Sequence, residues 1–89
     1  FLVMEALIHA AEGIGLPQEM AKELVFQTVL GAARLAGEAG RDPKELREMV
    51  TSPGGTTEKA IFVLEEGGLR ALLARAVSAA YERAKDLGG

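Results

Sequence analysis

The chain has no cysteine, one histidine, one tyrosine and three phenylalanines in 89 residues. Without cysteine there is no disulfide staple and no thiolate metal site. A single histidine excludes a multi-histidine metal centre built by one chain. An aromatic share of 4% against an apolar share of 48% leaves a core made largely of Ala, Leu, Val and Ile. Positive charge is also in short supply. Ten Lys and Arg face thirteen Asp and Glu, for a net charge of −3, and the cations are scattered rather than clustered. No basic footprint for nucleic acid results. No apolar run reaches the length of a membrane span and no cleavable signal pattern is present, so the expectation is a cytoplasmic protein with no membrane partner.

What is there reads as one all-α domain of five helices, of a size at which a single core is barely sufficient. Met4, Leu7, Ile8 and Ala11 recur at helical spacing, giving a first helix over about Phe1 to Glu12. Gly13 suits the left-handed residue that ends it. Pro17 is expected as a first-turn proline of the second helix, followed by Gln18 and Glu19 at the positive helix end. Its apolar stripe is Ala21, Leu24, Val25, Thr28, Ala32 and Leu35, and it frays near Gly37 to Gly40. Asp42-Pro43-Lys44-Glu45 opens a short third helix that ends near Val50, with Asp42 as cap and Glu45 reaching back. The chain begins at Phe1, inside a helical pattern with neither initiator Met nor cap, as a fragment, a processed chain or one excised domain would.

The fourth helix, about Thr57 to Glu66, carries five apolar residues in succession, Ala60 to Leu64. On a helix they point in every direction, and a helix of roughly ten residues is unstable in isolation. Burial all round is what such a pattern needs, more than one small chain provides, which implies a second copy. Glu65 and Glu66 lie at its negative end, where Arg70 or a partner's cation would offset them. Gly67-Gly68 makes a break. A last helix runs from Leu69 to Leu87, spanning roughly 28 Å, with Leu69, Leu72, Leu73, Ala76, Val77, Ala80, Ala84 and Leu87 along one face and Gly88 at its end.

Between the third and fourth helices lies Thr51-Ser52-Pro53-Gly54-Gly55-Thr56-Thr57. A helix start exposes N–H groups that have no partner inside the helix, at the positive end of the macrodipole. Two glycines let a ligand approach that backbone, and the hydroxyls add donors, so the loop reads as a cradle for a small anion. A plain connection with a threonine N-cap is the bland alternative. The adjacent glycines cost backbone entropy that a simple turn would avoid, and the hydroxyls exceed what one cap needs. No lysine directly follows the second glycine and no strand leads in, so this is not a nucleoside triphosphate loop; a carboxylate is the better fit. His9 with Glu5 and Glu12 reads as a solvated polar face, Gly13-x-Gly15 as a helix end, and Tyr81 as packing. No nucleophile–base pair is apparent.

Val50-Thr51-Ser52-Pro53-Gly54-Gly55-Thr56-Thr57, followed by Ala60-Ile61, Leu64-Glu65 and Gly67-Gly68-Leu69-Arg70, closely resembles the signature of pyrroline-5-carboxylate reductase. Ala10-Ala11, Gly15-Leu16-Pro17, Gln27 to Ala33, Asp42-Pro43 and Leu46-Arg47 extend the likeness over essentially the whole chain. The resemblance implies the helical C-terminal domain of 6-phosphogluconate-dehydrogenase-like reductases, an intertwined homodimer that often builds decamers. It implies reduction of 1-pyrroline-5-carboxylate to L-proline with NADPH or NADH, the last step of proline biosynthesis. It also implies that Ser52, Gly54, Gly55, Thr56 and Thr57 hold the substrate carboxylate, with the Thr57 hydroxyl near the ring nitrogen. The family's N-terminal Rossmann domain is missing from these residues, which therefore provide no principal cofactor contact and no metal site. Alone, they are expected to be inactive. A free-standing helical dimerisation module, its loop structural or bound to another small acid, is the competing function; a helix-turn-helix DNA binder fits the charge poorly.

Overall fold

The computed structural model describes residues 1–88, and all regular structure among them is helical. In chain order the elements are α1 (Leu2–Gly13), α2 (Gln18–Ala39), α3 (Pro43–Met49), α4 (Thr56–Glu66) and α5 (Leu69–Gly88). They fall into two compact units, Phe1–Leu46 and the residues from Arg47 onward. None of the helices described is long and apolar enough to cross a membrane.

In the first unit α1 and α2 pack as a helical hairpin. Met4, Ile8 and Ala11 are half-buried along α1, while Ala21 and Val25, one turn apart on α2, are buried. The seam on α2 continues through half-buried Val29, not through Leu24 and Leu35, which stay about half exposed. The turn that joins these helices departs from the expectation at Gly13. That residue is helical, Ile14 occupies the C-cap at φ −95°, and Gly15 takes the left-handed conformation at φ 106°. Three backbone bonds, from Ile14 and Leu16 to Ala11 O and from Gly15 to Glu12 O, carry the helix further before it turns. Pro17 stands outside α2 as its N-cap, extended at ψ 147°, so its fixed φ sets the approach and Gln18 is the first helical residue.

In the second unit α4 packs against α5. Gly67 remains in the right-handed helical region and Gly68 turns the chain at φ 79°. Arg70 Nε donates to Glu65 Oε1 at 2.7 Å across this break, so the acidic end of α4 finds its cation on α5. No described residue of this unit is buried. Of the apolar run in α4 only Ile61 is half-buried; Phe62, Val63 and Leu64 are 62%, 63% and 49% exposed. Leu72, Leu73, Val77 and Leu87 on α5 are likewise exposed. Burying one large aliphatic side chain contributes about 1.5–3 kcal/mol. Two buried residues in the first unit and none in the second fall far short of what ordering this many residues costs. The aliphatic faces of one chain stay largely open.

Candidate functional site

The loop before α4 owes its shape to a proline and two glycines that do different things. α3 ends in tight bonds, Val50 N–H to Arg47 O at 3.3 Å and Thr51 N–H to Glu48 O at 3.3 Å, and the Thr51 hydroxyl donates to Arg47 O. These close the α3 carbonyls and leave the chain free to turn. Gly55 N–H then donates to Ser52 O at 3.0 Å, closing a β-turn with Pro53 and Gly54 at its centre. Gly54 lies at φ 74°, in the left-handed region where a type II turn requires glycine, and Pro53 presets the position before it.

Gly55 is the N-cap of α4, extended at φ −85° and ψ 177°, and its carbonyl accepts the first helical bond from Lys59 N–H at 3.3 Å. The helix starts at Thr56, one residue earlier than the sequence suggests, and no side-chain hydroxyl caps it. The threonine-cap alternative is therefore not what the loop does. The side chain that does bond the loop backbone is a carboxylate, since Gly54 N–H donates to Glu58 Oε1 at 3.0 Å. Glu58 stands in the capping-box position of the first turn but reaches one residue further back than the N-cap. Glutamate at the third helical position was the available sequence signal for this bond.

Two of the N–H groups in the loop are thus engaged within it, those of Gly54 and Gly55. The N–H groups of Thr56 and Thr57, the first two of α4, have no acceptor among the described residues. Thr57 is half-buried, while Ser52, Gly54 and Thr56 are exposed. Beside the loop is an open hollow of about 420 Å³ lined by Gly54, Gly55, Glu58, Lys59 and Phe62. Free backbone donors at the positive end of a helix, with a lysine nearby, suit an anion in chemical terms. The loop therefore brings Ser52, Gly54, Gly55, Thr56 and Thr57 to one helix entrance. His9 is not among them, and no group of three His, Cys, Asp or Glu able to hold a metal occurs among the described residues.

Comparison with known proteins gives this arrangement a context. Residues 1–87 match the family model described as pyrroline-5-carboxylate reductase dimerisation. Similar proteins include the pyrroline-5-carboxylate reductase of Methanosarcina acetivorans, 50% identical over 99% of this chain and 33% of its own length. The reductase of Corynebacterium melassecola is 48% identical over the same shares. Among solved structures, a pyrroline-5-carboxylate reductase from Coxiella burnetii superposes with a TM-score of 0.94 at 59% identity, over 98% of this chain and 32% of that one. The pyrroline carboxylate reductase of Plasmodium falciparum, solved with NADP bound, gives a TM-score of 0.95 at 33% identity, over 99% of this chain and 34% of that one. The chain spans about a third of the length of the relatives it matches. With the family model matched over residues 1–87, the chain belongs to the pyrroline-5-carboxylate reductase dimerisation family.

Proposed function

We propose that this chain is the dimerisation and substrate-carboxylate domain of a pyrroline-5-carboxylate reductase, which reduces 1-pyrroline-5-carboxylate to L-proline at the expense of NADPH or NADH. The observation that carries the reading is the pair of open Thr56 and Thr57 amides at the α4 entrance, set within the Ser52–Thr57 signature. On this reading the substrate carboxylate accepts hydrogen bonds from those amides, with the Ser52 hydroxyl as a further donor. Gly54 and Gly55 shape the turn and keep the approach free of side chains. The Thr57 hydroxyl orients the imine nitrogen. The residues described include no strand and hence no glycine-rich strand-to-helix turn for a dinucleotide. On this reading the part of these residues in the reaction is binding and positioning, the hydride coming from the cofactor.

A second copy of the chain is the partner proposed for the aliphatic faces of α4 and α5, completing the half-core that one chain exposes, and such dimers can build larger rings. The test of the catalytic reading is a complete protein carrying this domain, supplied with 1-pyrroline-5-carboxylate and reduced nicotinamide and assayed for L-proline. Proline formation that survives the combined change Thr56→Pro and Thr57→Ala undiminished would remove these residues from the site. The competing module reading predicts no response of Thr56 and Thr57 amides to L-proline at any concentration.

A further inference from the structure

The α4 entrance already holds a carboxylate of its own. Glu58 Oε1 accepts from Gly54 N–H at 3.0 Å, and Glu58 lines the same hollow as Gly54, Gly55 and Lys59. A glutamate in the first turn is electrostatically at home at the positive helix end. It is also a formal negative charge held on the N–H of Gly54, two residues before the first of the donors proposed for a substrate carboxylate. We propose that Glu58 is a resident counter-ligand that sets the affinity threshold of the carboxylate site, an entering acid having to share or displace its charge. The proposal rests on the reading of the Thr56 and Thr57 amides as a carboxylate site, and it assigns the regulation of that site to a side chain.

Several observations converge. The bond is made to an exposed partner, so water can replace it when the side chain swings away. Glu58 is not needed to turn the chain, because the turn is closed independently by Gly55 N–H on Ser52 O. The N-cap is a glycine with no side chain to compete, and no side chain caps the helix start itself, so the Glu58 carboxylate reaches the loop backbone at Gly54 unopposed. Like charges about 4 Å apart in water repel by about 1 kcal/mol, and solvent exposure of both keeps the effect near that size. Removal of the charge should therefore tighten carboxylate binding by about two- to fivefold. Lys59, on the adjacent rim, supplies the opposite field once the carboxylate has moved.

Glu58→Gln separates charge from hydrogen bonding, because the amide oxygen can still accept from Gly54 N–H. The experiment is a titration of L-proline, followed by backbone amide NMR, against the wild-type chain and Glu58→Gln at low and at high salt. The expected result is a shift of the Gly54 amide as well as those of Thr56 and Thr57 in the wild type, tighter binding by Glu58→Gln, and a gap that narrows as salt screens the charge. If Thr56 and Thr57 respond with equal affinity in both proteins, the role of Glu58 is overturned while the carboxylate site stands. If no amide from Gly54 to Glu58 responds in either protein, both readings fall.

Discussion

Glu65 and Arg70 join the end of α4 to the start of α5 through one hydrogen-bonded ion pair, Arg70 Nε to Glu65 Oε1 at 2.7 Å, spanning the Gly67-Gly68 break. The hydrogen bond from Arg70 holds the Glu65 carboxyl below the usual glutamate range, with smaller help from the charges of Arg70 and Arg47. Because the folded value is lowered, the stabilisation is complete above the unfolded value near 4.5 and is lost as pH falls through the folded one. Both side chains are largely solvated, so the effect is small. The expected outcome is a Tm difference between wild type and Glu65→Gln that is present at neutral pH and shrinks as pH falls below the unfolded value near 4.5. A difference that stayed constant down to strongly acidic pH would detach the pair from the stability of this elbow.

Leu64→Asp tests the half-core. Leu64 is 49% exposed and sits in the run Ala60–Leu64, where Phe62 and Val63 are more exposed still. If a second copy covers this run, the substitution places an unpaired charge in a desolvated contact, at a cost of roughly 3–5 kcal/mol. Sedimentation should then show loss of the dimer, with loss of helix by circular dichroism because one chain buries too little. A Leu64→Asp protein that sedimented as a folded dimer would place the interface elsewhere.

Five helices were legible in the sequence because the breaks between them are strongly punctuated, by Gly13-Ile14-Gly15 with Pro17, by Gly40 with Asp42-Pro43, by Pro53-Gly54-Gly55 and by Gly67-Gly68. Which glycine turns the chain was not legible. At both Gly13/Gly15 and Gly67/Gly68 the second of the two takes positive φ, because backbone bonds of the last helical turn extend over the first. The apolar faces were legible but their partners were not. Periodicity marks Leu24 and Leu35 as apolar positions on α2, yet cannot tell a face covered within the chain from one left open by it. At the candidate site, residue types over-counted the free donors of the loop. Pro53-Gly54 closes a turn that consumes the Gly55 amide, and Glu58 consumes that of Gly54.

Thr57→Ala addresses the one side chain proposed to meet the imine. Thr57 is half-buried at the second position of α4, so its hydroxyl can be removed without opening a core. In a complete reductase carrying this domain, loss of a hydrogen bond to a charged group should lower kcat/KM by about 1–3 kcal/mol in transition-state terms. Dimerisation by sedimentation should be unchanged. A drop confined to KM would assign Thr57 to ground-state binding of the carboxylate through its backbone neighbourhood, and an unchanged kcat/KM would remove the hydroxyl from the reaction.

Gly54→Ala and Gly55→Ala separate the two glycines that the loop sets side by side. At Gly54 nothing lies within 4 Å of where a Cβ would stand, but φ is 74°, and an L-residue in that region costs about 1–2 kcal/mol. At Gly55 the backbone is ordinary for any residue, but a Cβ would come within 3.1 Å of Ser52 O, the acceptor that closes the turn. The first substitution strains the backbone without a clash, and the second crowds the turn without straining its own dihedrals. Gly54→Asn should therefore recover much of what Gly54→Ala loses, since asparagine tolerates the left-handed region, whereas no side chain should rescue position 55. Thermal melts of the four single variants Gly54→Ala, Gly54→Asn, Gly55→Ala and Gly55→Asn check this. Equal losses for alanine and asparagine at position 54 would mean that the left-handed conformation there is not what the glycine supplies.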